Sequence, residues 1–306
     1  MRDVSEKFET LRKAKAQAIL TAKPETIEKI KKGTLSKGET LQLARAASVM
    51  ACKRTWEFIP YCHPVNIDYV HVEFEFTETE VKTFVTVKSI DRTGVEMEAL
   101  LGVTLACLTI YDMAKPEDPD LSITEVKLLE KSGGKSDFME EMKTPIKSAV
   151  VVLSDTVFSG KKEDKAGKKV VEVLKSYNIE ILDYVVLPDE PQQLRERLQK
   201  HLSDNINLIL TVGGTGLGFR DKTVETIKPM LEVEIPGIME AARAYGQRRT
   251  PYSMLSRSIA GLVKNTLIIT LPGSSRGVKE SMDAIFPGVL HIFSVLRKDP
   301  HRFGYS

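Results

Sequence analysis

Asp112 and Lys115 stand three residues apart, just ahead of Pro116, where an apolar run that begins near Ala99 comes to its end. On a helix this spacing sets a carboxylate and an ammonium on nearly the same face, and the proline closes the helix behind them. The negative end of the helix macrodipole disfavours another negative charge, so the spacing predicts a raised Asp112 carboxyl that can donate a proton. Taken alone, the pair is a helix-terminal salt bridge. The other end of the run carries Glu96, Met97 and Glu98. At about 100° per residue Glu98 shares a face with Asp112, and Glu96 lies nearly opposite. Their separation corresponds to roughly 21 Å of helix axis, too far for one unbroken helix to bring both to one reacting atom. Three arrangements answer this: a break near Gly102, an extended site, or sites shared between copies of the chain, the last of which requires an oligomer.

Upstream, KRTWEFIPYCHPVNI sets Tyr61, Cys62 and His63 before Pro64. The proline holds His63 in extended backbone, so its imidazole points in a defined direction and can orient a ligand or shuttle a proton. A metal at Cys62 and His63 is not expected, because Cys52 and Cys107 are distant in sequence and no paired ligand spacing accompanies them. KSGGKS, Lys131 to Ser136, is a glycine turn between two ammoniums that can wrap an anion, although it lacks the spacing of a Walker loop. Lys37 in GTLSKGET and Lys53 beside Arg54 add two further cations.

The elements that must carry these groups follow from periodicity. The run from Ala99 to Ala114 is too short and too closely flanked by charge to span a bilayer, and reads as a buried core helix. LRKAKAQAILTAKPETIEKIKK reads as helical, whereas VHVEFEFTETEVKTFVTVKSI alternates, which predicts an antiparallel sheet with helices. The pattern changes at Met139 to Lys147, MEEMKTPIK. Beyond it VVVLS, ILDYVVL, INLILTV and TLIITL are β-rich runs separated by helical stretches, the signature of a parallel sheet with helical crossovers. Ligands of such a sheet collect outside the C-terminal strand ends. Three loops fall there: GGTGLGFRDKT with Arg220 and Asp221, PGSSRG from Pro272 to Gly277, and PDE with Asp189. Glycine loops that enter helices bring backbone N–H groups to phosphate, and three at one sheet edge favour a phosphorylated ligand. The spacing matches neither the dinucleotide fingerprint nor a P-loop.

A chain of 306 residues favours two domains, and 42% hydrophobic with 28% charged residues is enough for two cores. The net charge of +2 leaves no general nucleic-acid footprint, and the basic stretch from Lys161 to Lys169 also contains Glu163 and Asp164. Three cysteines, all in the first half, fit a reducing compartment, and the first residues lack the apolar core of a signal peptide, so a cytoplasmic protein without membrane anchor is expected.

Residues 2 to 138 resemble the cyclic pyranopterin monophosphate synthases of molybdenum cofactor biosynthesis, carrying RDVSEKFETLRKAKA, KGET, KRTWEFIPYCHP, TGVEMEAL, LTIYDMAK and LLEKSGGKS in that family's order. The resemblance implies a domain over 1–140 with a ferredoxin-like α+β fold. It implies conversion of cyclic dihydro-GTP to cyclic pyranopterin monophosphate with loss of pyrophosphate, and a hexamer built from dimers with sites between subunits. Asp112 falls on the family's catalytic aspartate and Lys37 and Lys115 on its essential lysines. Its substrate-contacting positions fall on Tyr61, Cys62, His63, Met97 and Glu98, with Lys131 as a supporting lysine; proton transfers can be shared by Asp112, Lys115 and His63, and Lys53 is a further substrate-binding cation near the CHP segment. Tyr61 stands where leucine is common and Asp137 where glycine is.

Residues 147 to about 303 resemble the molybdopterin adenylyltransferases through SDTVFSGKKEDKAG, VLPDE, TVGGTGLGFRD, LSRSIAG and LPGSSRG. The resemblance implies an α/β, Rossmann-like three-layer domain over 147–306 that transfers AMP from ATP to molybdopterin. Asp189 and Asp221 would be catalytic and hold Mg²⁺. Gly213, Gly214, Thr215 and Gly216, with Pro272, Gly273, Ser274 and Ser275 and with Ser256, would hold phosphate and nucleotide. Ala166 and Phe219 depart from the family pattern, which has DxSG and PRD there. The expectation is thus a bifunctional enzyme. The alternative is a synthase fused to a catalytically silent molybdopterin-binding or oligomerising module.

Overall fold

The computed structural model describes residues 1–139 and 144–297, and the chain divides into two compact units, Met1–Phe138 and Met139–Ser306. The expected boundary segment and the last nine residues of the second expected domain fall partly or wholly outside the described residues.

The first unit runs β1 (Thr10–Thr21), α1 (Pro24–Lys32), α2 (Thr40–Lys53), α3 (Thr55–Phe58), β2 (Tyr69–Phe76), β3 (Glu80–Asp91), α4 (Glu96–Ala114) and β4 (Ser122–Ser132). The strands pair antiparallel in the order β2-β3-β1-β4, the ferredoxin-like arrangement of a split β-α-β pair. One expectation fails here: the segment opening LRKAKAQAILT is a strand, and only PETIEKIKK is helical. Ala, Lys and Gln favour helices, but Ala14, Ala16, Ala18 and Leu20 recur at period two and all are fully buried. Their small side chains form the sheet face on which α4 packs.

Helix α4 has 19 residues, long and apolar enough by length and composition to cross a membrane, which corrects the expectation that it is too short. Its packing against α2, β1, β3 and β4, with Ala99, Val103, Ala106, Cys107 and Ile110 fully buried, makes it the core helix of this unit. It is continuous through Gly102, so the proposed break is excluded. A Cβ at Gly102 would lie 2.7 Å from Cys52 Sγ, and glycine is what lets α2 come this close.

The second unit runs β5 (Lys147–Leu153), α5 (Asp155–Phe158), α6 (Ala166–Ser176), β6 (Glu180–Leu187), α7 (Pro191–Ser203), β7 (Leu208–Val212), α8 (Thr223–Ile227), β8 (Val233–Glu234), α9 (Pro236–Gln247), β9 (Ala260–Val263), β10 (Thr266–Leu271), α10 (Ser275–Ile285) and α11 (His291–Leu296). The sheet order is β6-β5-β7-β10-β9-β8. The first four strands are parallel, and β9 and β8 extend the sheet antiparallel. Alternation along β5 assigns the faces: Val150 and Val152 join the core with Val170, Met239 and Val278, and Ala149, Val151 and Leu153 join the core with Leu194, Leu198 and Ile227. Helices α6, α9 and α10 therefore cover one face and α7 and α8 the other, giving three layers. The two short antiparallel strands went unforeseen because four-residue and two-residue strands leave little periodicity to read.

Candidate functional site

In the first unit the expected residues gather at the two ends of α4. At its C-terminal end Lys115 Nζ lies 2.8 Å from Asp112 Oδ1. Lys37, brought in by the loop between α1 and α2, donates to Asp112 Oδ2 at 3.0 Å and to the Asp112 carbonyl at 2.7 Å. The hydrogen bonds from Lys115 and then Lys37 hold the Asp112 carboxyl below the usual aspartate range. This reverses the expected upward shift, because two ammoniums in contact outweigh the end of a helix dipole. Asp112 is therefore an ionised carboxylate, a proton acceptor, and Lys115 is pushed up by the same contact.

The other end of α4 is of opposite character. Glu98 is 2% exposed, and burial raises its carboxyl above the usual glutamate range. Its Oε1 accepts from Cys62 Sγ at 3.4 Å, its carbonyl accepts from Cys52 Sγ at 3.2 Å, and its Oε2 is buried without a protein partner. Burial, and then Glu98 itself, push the Cys62 thiol up to about 11, so Cys62 is a neutral thiol and not a nucleophilic thiolate. Met97 and Tyr61 are exposed, His63 is half-buried, and Lys53 ends α2 on its exposed side.

Lys131 Nζ is 3.4 Å from Glu96 Oε1 and borders a cavity of about 320 Å³ that Arg12, Lys13, Lys7 and Ser136 also line. Arg12, 9% exposed and bonded to the Asp91 and Arg92 carbonyls, was missed. It stood in the quoted RDVSEKFETLRKAKA, but its segment was read as helix. Thus Lys37, Asp112 and Lys115 come together, as do Cys62, Glu98 and, through Glu96, Lys131 at the far end. Roughly 21 Å of one unbroken helix separates the two sets.

In the second unit the strand ends deliver their loops to one edge. Gly213 N–H bonds the Leu271 carbonyl at 3.0 Å, which ties the GGTG loop after β7 to the PGSS loop after β10. Gly213 has φ 104°, and a Cβ there would lie 2.2 Å from the Leu153 carbonyl oxygen, so only glycine fits between β5 and β7. Thr215 is buried and exposes its carbonyl to Arg257 N–H at 3.1 Å. Ser274 caps α10 by accepting from Gly277 N–H at 3.1 Å, which leaves Gly273 and Ser275 exposed on the same turn. Pro272, Ser274 and Ser256 line one cavity of about 290 Å³ with Arg243 and Arg276.

Asp189 follows β6, and burial raises its carboxyl, with the charges of Asp155 and Asp221 adding to the shift. Asp155 and Asp189 exchange backbone-to-carboxylate bonds, Asp155 N–H to Asp189 Oδ2 at 3.1 Å and Asp189 N–H to Asp155 Oδ1 at 3.0 Å. Arg220 bridges Asp155 at 2.8 Å and Glu190 at 3.1 Å. Asp221 Oδ2 accepts from Gly218 N–H at 2.8 Å, and Asp221 N–H bonds the Gly218 carbonyl at 3.0 Å. The turn is thereby closed by Asp221 itself, and Phe219, 84% exposed, is not needed to hold it.

Two organising residues were not singled out. Asp155 lay inside SDTVFSG. Arg257 lay inside LSRSIAG, and its guanidinium bonds the Gly216 carbonyl at 2.8 Å and the Asp221 carbonyl at 2.9 Å, besides pairing with Glu225. Both act on backbone atoms distant in sequence, which spacing cannot reveal. Among the described residues no group of three or more His, Cys, Asp or Glu could by itself hold a metal. A Mg²⁺ that shares phosphate oxygens needs only one or two carboxylates, and Asp189 and Asp221 supply hard oxygen donors of that kind.

Residues 1–134 match the model of the MoaC family, and residues 149–291 match that of a probable molybdopterin binding domain. A molybdenum cofactor biosynthesis bifunctional protein of Chlorobaculum tepidum is 36% identical over 301 residues, covering 98% of this chain and 96% of the relative. One of the same description from Synechococcus elongatus is 32% identical over 314 residues, covering 98% of each. The cyclic pyranopterin monophosphate synthase of Aquifex aeolicus is 45% identical over 140 residues, 46% of this chain and 55% of that protein. With both halves matched in order and nearly the whole length shared, this chain belongs to the family of bifunctional molybdenum cofactor biosynthesis proteins.

Proposed function

We propose that the first unit converts cyclic dihydro-GTP to cyclic pyranopterin monophosphate with release of pyrophosphate, and that the second adenylylates molybdopterin with Mg-ATP. The observation that carries the first part is Asp112 held ionised between Lys37 and Lys115. A rearrangement with a pyrophosphate leaving group needs a base and cations together, and these three residues are that set. Asp112 takes the role of proton acceptor, and Lys115 and Lys37 those of donors to the leaving group. Glu98, whose carboxyl is raised by burial and accepts from the Cys62 thiol, is suited to donate to the heterocycle, with His63 next in sequence to Cys62. Lys131, Lys53 and Arg12 supply positive charge for the triphosphate, Tyr61 and Met97 line the approach, and the two ends of α4 meet across copies of the chain in an oligomer, expected to be a hexamer working in the cytoplasm.

In the second unit Asp189 and Asp221 would hold Mg²⁺, which when bound neutralises phosphate charge. Gly213, Gly214, Thr215 and Gly216 present backbone N–H groups to one phosphate, and Gly273, Ser274 and Ser275 at the start of α10 to another. Ser256 and Pro272 border the cavity beside them.

The test is a pair of assays on the full chain. With Mg²⁺, ATP and molybdopterin, adenylylated product is expected from the wild type and is lost in Asp221→Ala. With cyclic dihydro-GTP, pyrophosphate release is expected and falls on the order of a hundredfold or more in Asp112→Asn. Each substitution should spare the other reaction. Molybdopterin binding without adenylylation would make the second unit a binding module, and an undiminished Asp112→Asn would remove the first assignment.

A further inference from the structure

Lys37 sits on a loop, yet its ammonium is held against two atoms of one residue, Asp112. A lysine carries four flexible carbons, and on a free loop that geometry would cost several rotamers and backbone torsions. What fixes the loop is Glu117. Its backbone N–H bonds the Ala114 carbonyl at 2.9 Å, so it belongs to the turn that ends α4. Its Oε1 accepts from Ser36 N–H at 2.7 Å, and its Oε2 accepts from Lys29 Nζ at 2.7 Å. The side chain is only 16% exposed, and both oxygens are engaged. On the other side of the loop Leu35 is buried in the core and its carbonyl accepts from Gly38 N–H at 3.0 Å. Lys37 therefore leaves the backbone immediately after an amide clamped to the end of α4, the same end that presents Asp112 and Lys115.

The two arms of Glu117 differ in consequence. The bond to Lys29 is a surface ion pair, a class that contributes little. The bond to Ser36 sets where the backbone of Lys37 begins. We infer that Glu117 is a positioning residue for the reaction of the first unit, holding Lys37 over Asp112 through the Ser36 amide. This rests on the reading of Lys37, Asp112 and Lys115 as that reaction's machinery.

The experiment measures kcat and KM for cyclic dihydro-GTP on the full chain in Glu117→Ala, Glu117→Gln, Lys37→Ala and the Glu117→Ala/Lys37→Ala pair. Glu117→Ala is expected to lower kcat by about tenfold or more, the scale of a small misplacement of a reacting group. Glu117→Gln keeps an acceptor for Ser36 N–H and should hold kcat within about threefold. In the Lys37→Ala background Glu117→Ala should cause no further loss, because the group it positions is gone. A merely structural role would give the same loss in both backgrounds, and that result, or wild-type kcat in Glu117→Ala, overturns the inference. Should Glu117→Ala fail to fold, Glu117→Asp retains the charge near Lys29 and withdraws from Ser36; a fall in kcat is expected, and full activity overturns the inference. Undiminished activity in Lys37→Ala is a separate result that removes the reading of the site itself.

Discussion

Asp112 and Glu98 are carboxylates on one helix pushed in opposite directions. Contact with Lys115 and Lys37 lowers the Asp112 carboxyl, while burial raises that of Glu98. Under the proposed function, the opposition suits the two ends of α4 to complementary roles, an acceptor at one and a donor at the other. It also predicts a pH signature in stability. Glu98 titrates near 4.5 when unfolded and higher when folded, so across that window the folded state binds more protons and stability falls as pH rises. Glu98→Gln removes the titration. Its melting temperature should exceed that of the wild type by a few degrees at neutral pH, and the advantage should vanish below 4.5. Thermal melts across pH decide it, and an advantage of equal size at both ends would mean that the amide simply packs better. The buried Oε2 without a partner is the atom responsible.

At the scale of elements, the loops after β5, β6, β7 and β10 converge because parallel strands all end on one edge. Gly213 is the tightest of these joints. Alanine there meets both a left-handed backbone and the Leu153 carbonyl oxygen, and Gly213→Ala should cost about 3 kcal/mol in the unfolding transition of the second unit and remove its activity. Gly237→Ala, whose added Cβ meets nothing within 4 Å, is the matched control and should be close to neutral. Denaturant melts of both variants check this, and equal costs would show that crowding at Gly213 relaxes.

The loops were legible because glycine, hydroxyl and acid clusters sit where β-rich runs stop. The parallel order was legible from the alternation of such runs with helical stretches. Strand β1 was not, because its alternating residues are alanines: the period was present in Ala14, Ala16 and Ala18, but composition spoke for helix. What the chain could not disclose were contacts to backbone atoms. Glu117 on Ser36 and Arg257 on Gly216 and Asp221 join segments remote in sequence, and no spacing rule reaches them. The sign of the Asp112 shift failed for the same reason, since Lys37 arrives from a different element.

For the whole molecule the decisive length is that of α4. An unbroken helix of 19 residues keeps Asp112, Lys37 and Lys115 at one end and Glu98, Cys62 and His63 toward the other, so a chain reacting alone would use half of the set. In the proposed oligomer, two copies would bring opposite ends together and complete it. That arrangement predicts complementation: Asp112→Asn and His63→Ala, each nearly inactive in the first reaction, should regain activity when mixed and allowed to exchange subunits. If one site takes its acceptor end from one chain and its donor end from the other, random pairing in an equal mixture leaves about a quarter of all sites intact. Activity near that fraction, appearing with the kinetics of subunit exchange and absent when exchange is blocked by crosslinking, is the expected outcome. A mixture no more active than its parts would require both ends of α4 to serve one extended substrate within a single chain, across a distance that the helix itself keeps rigid.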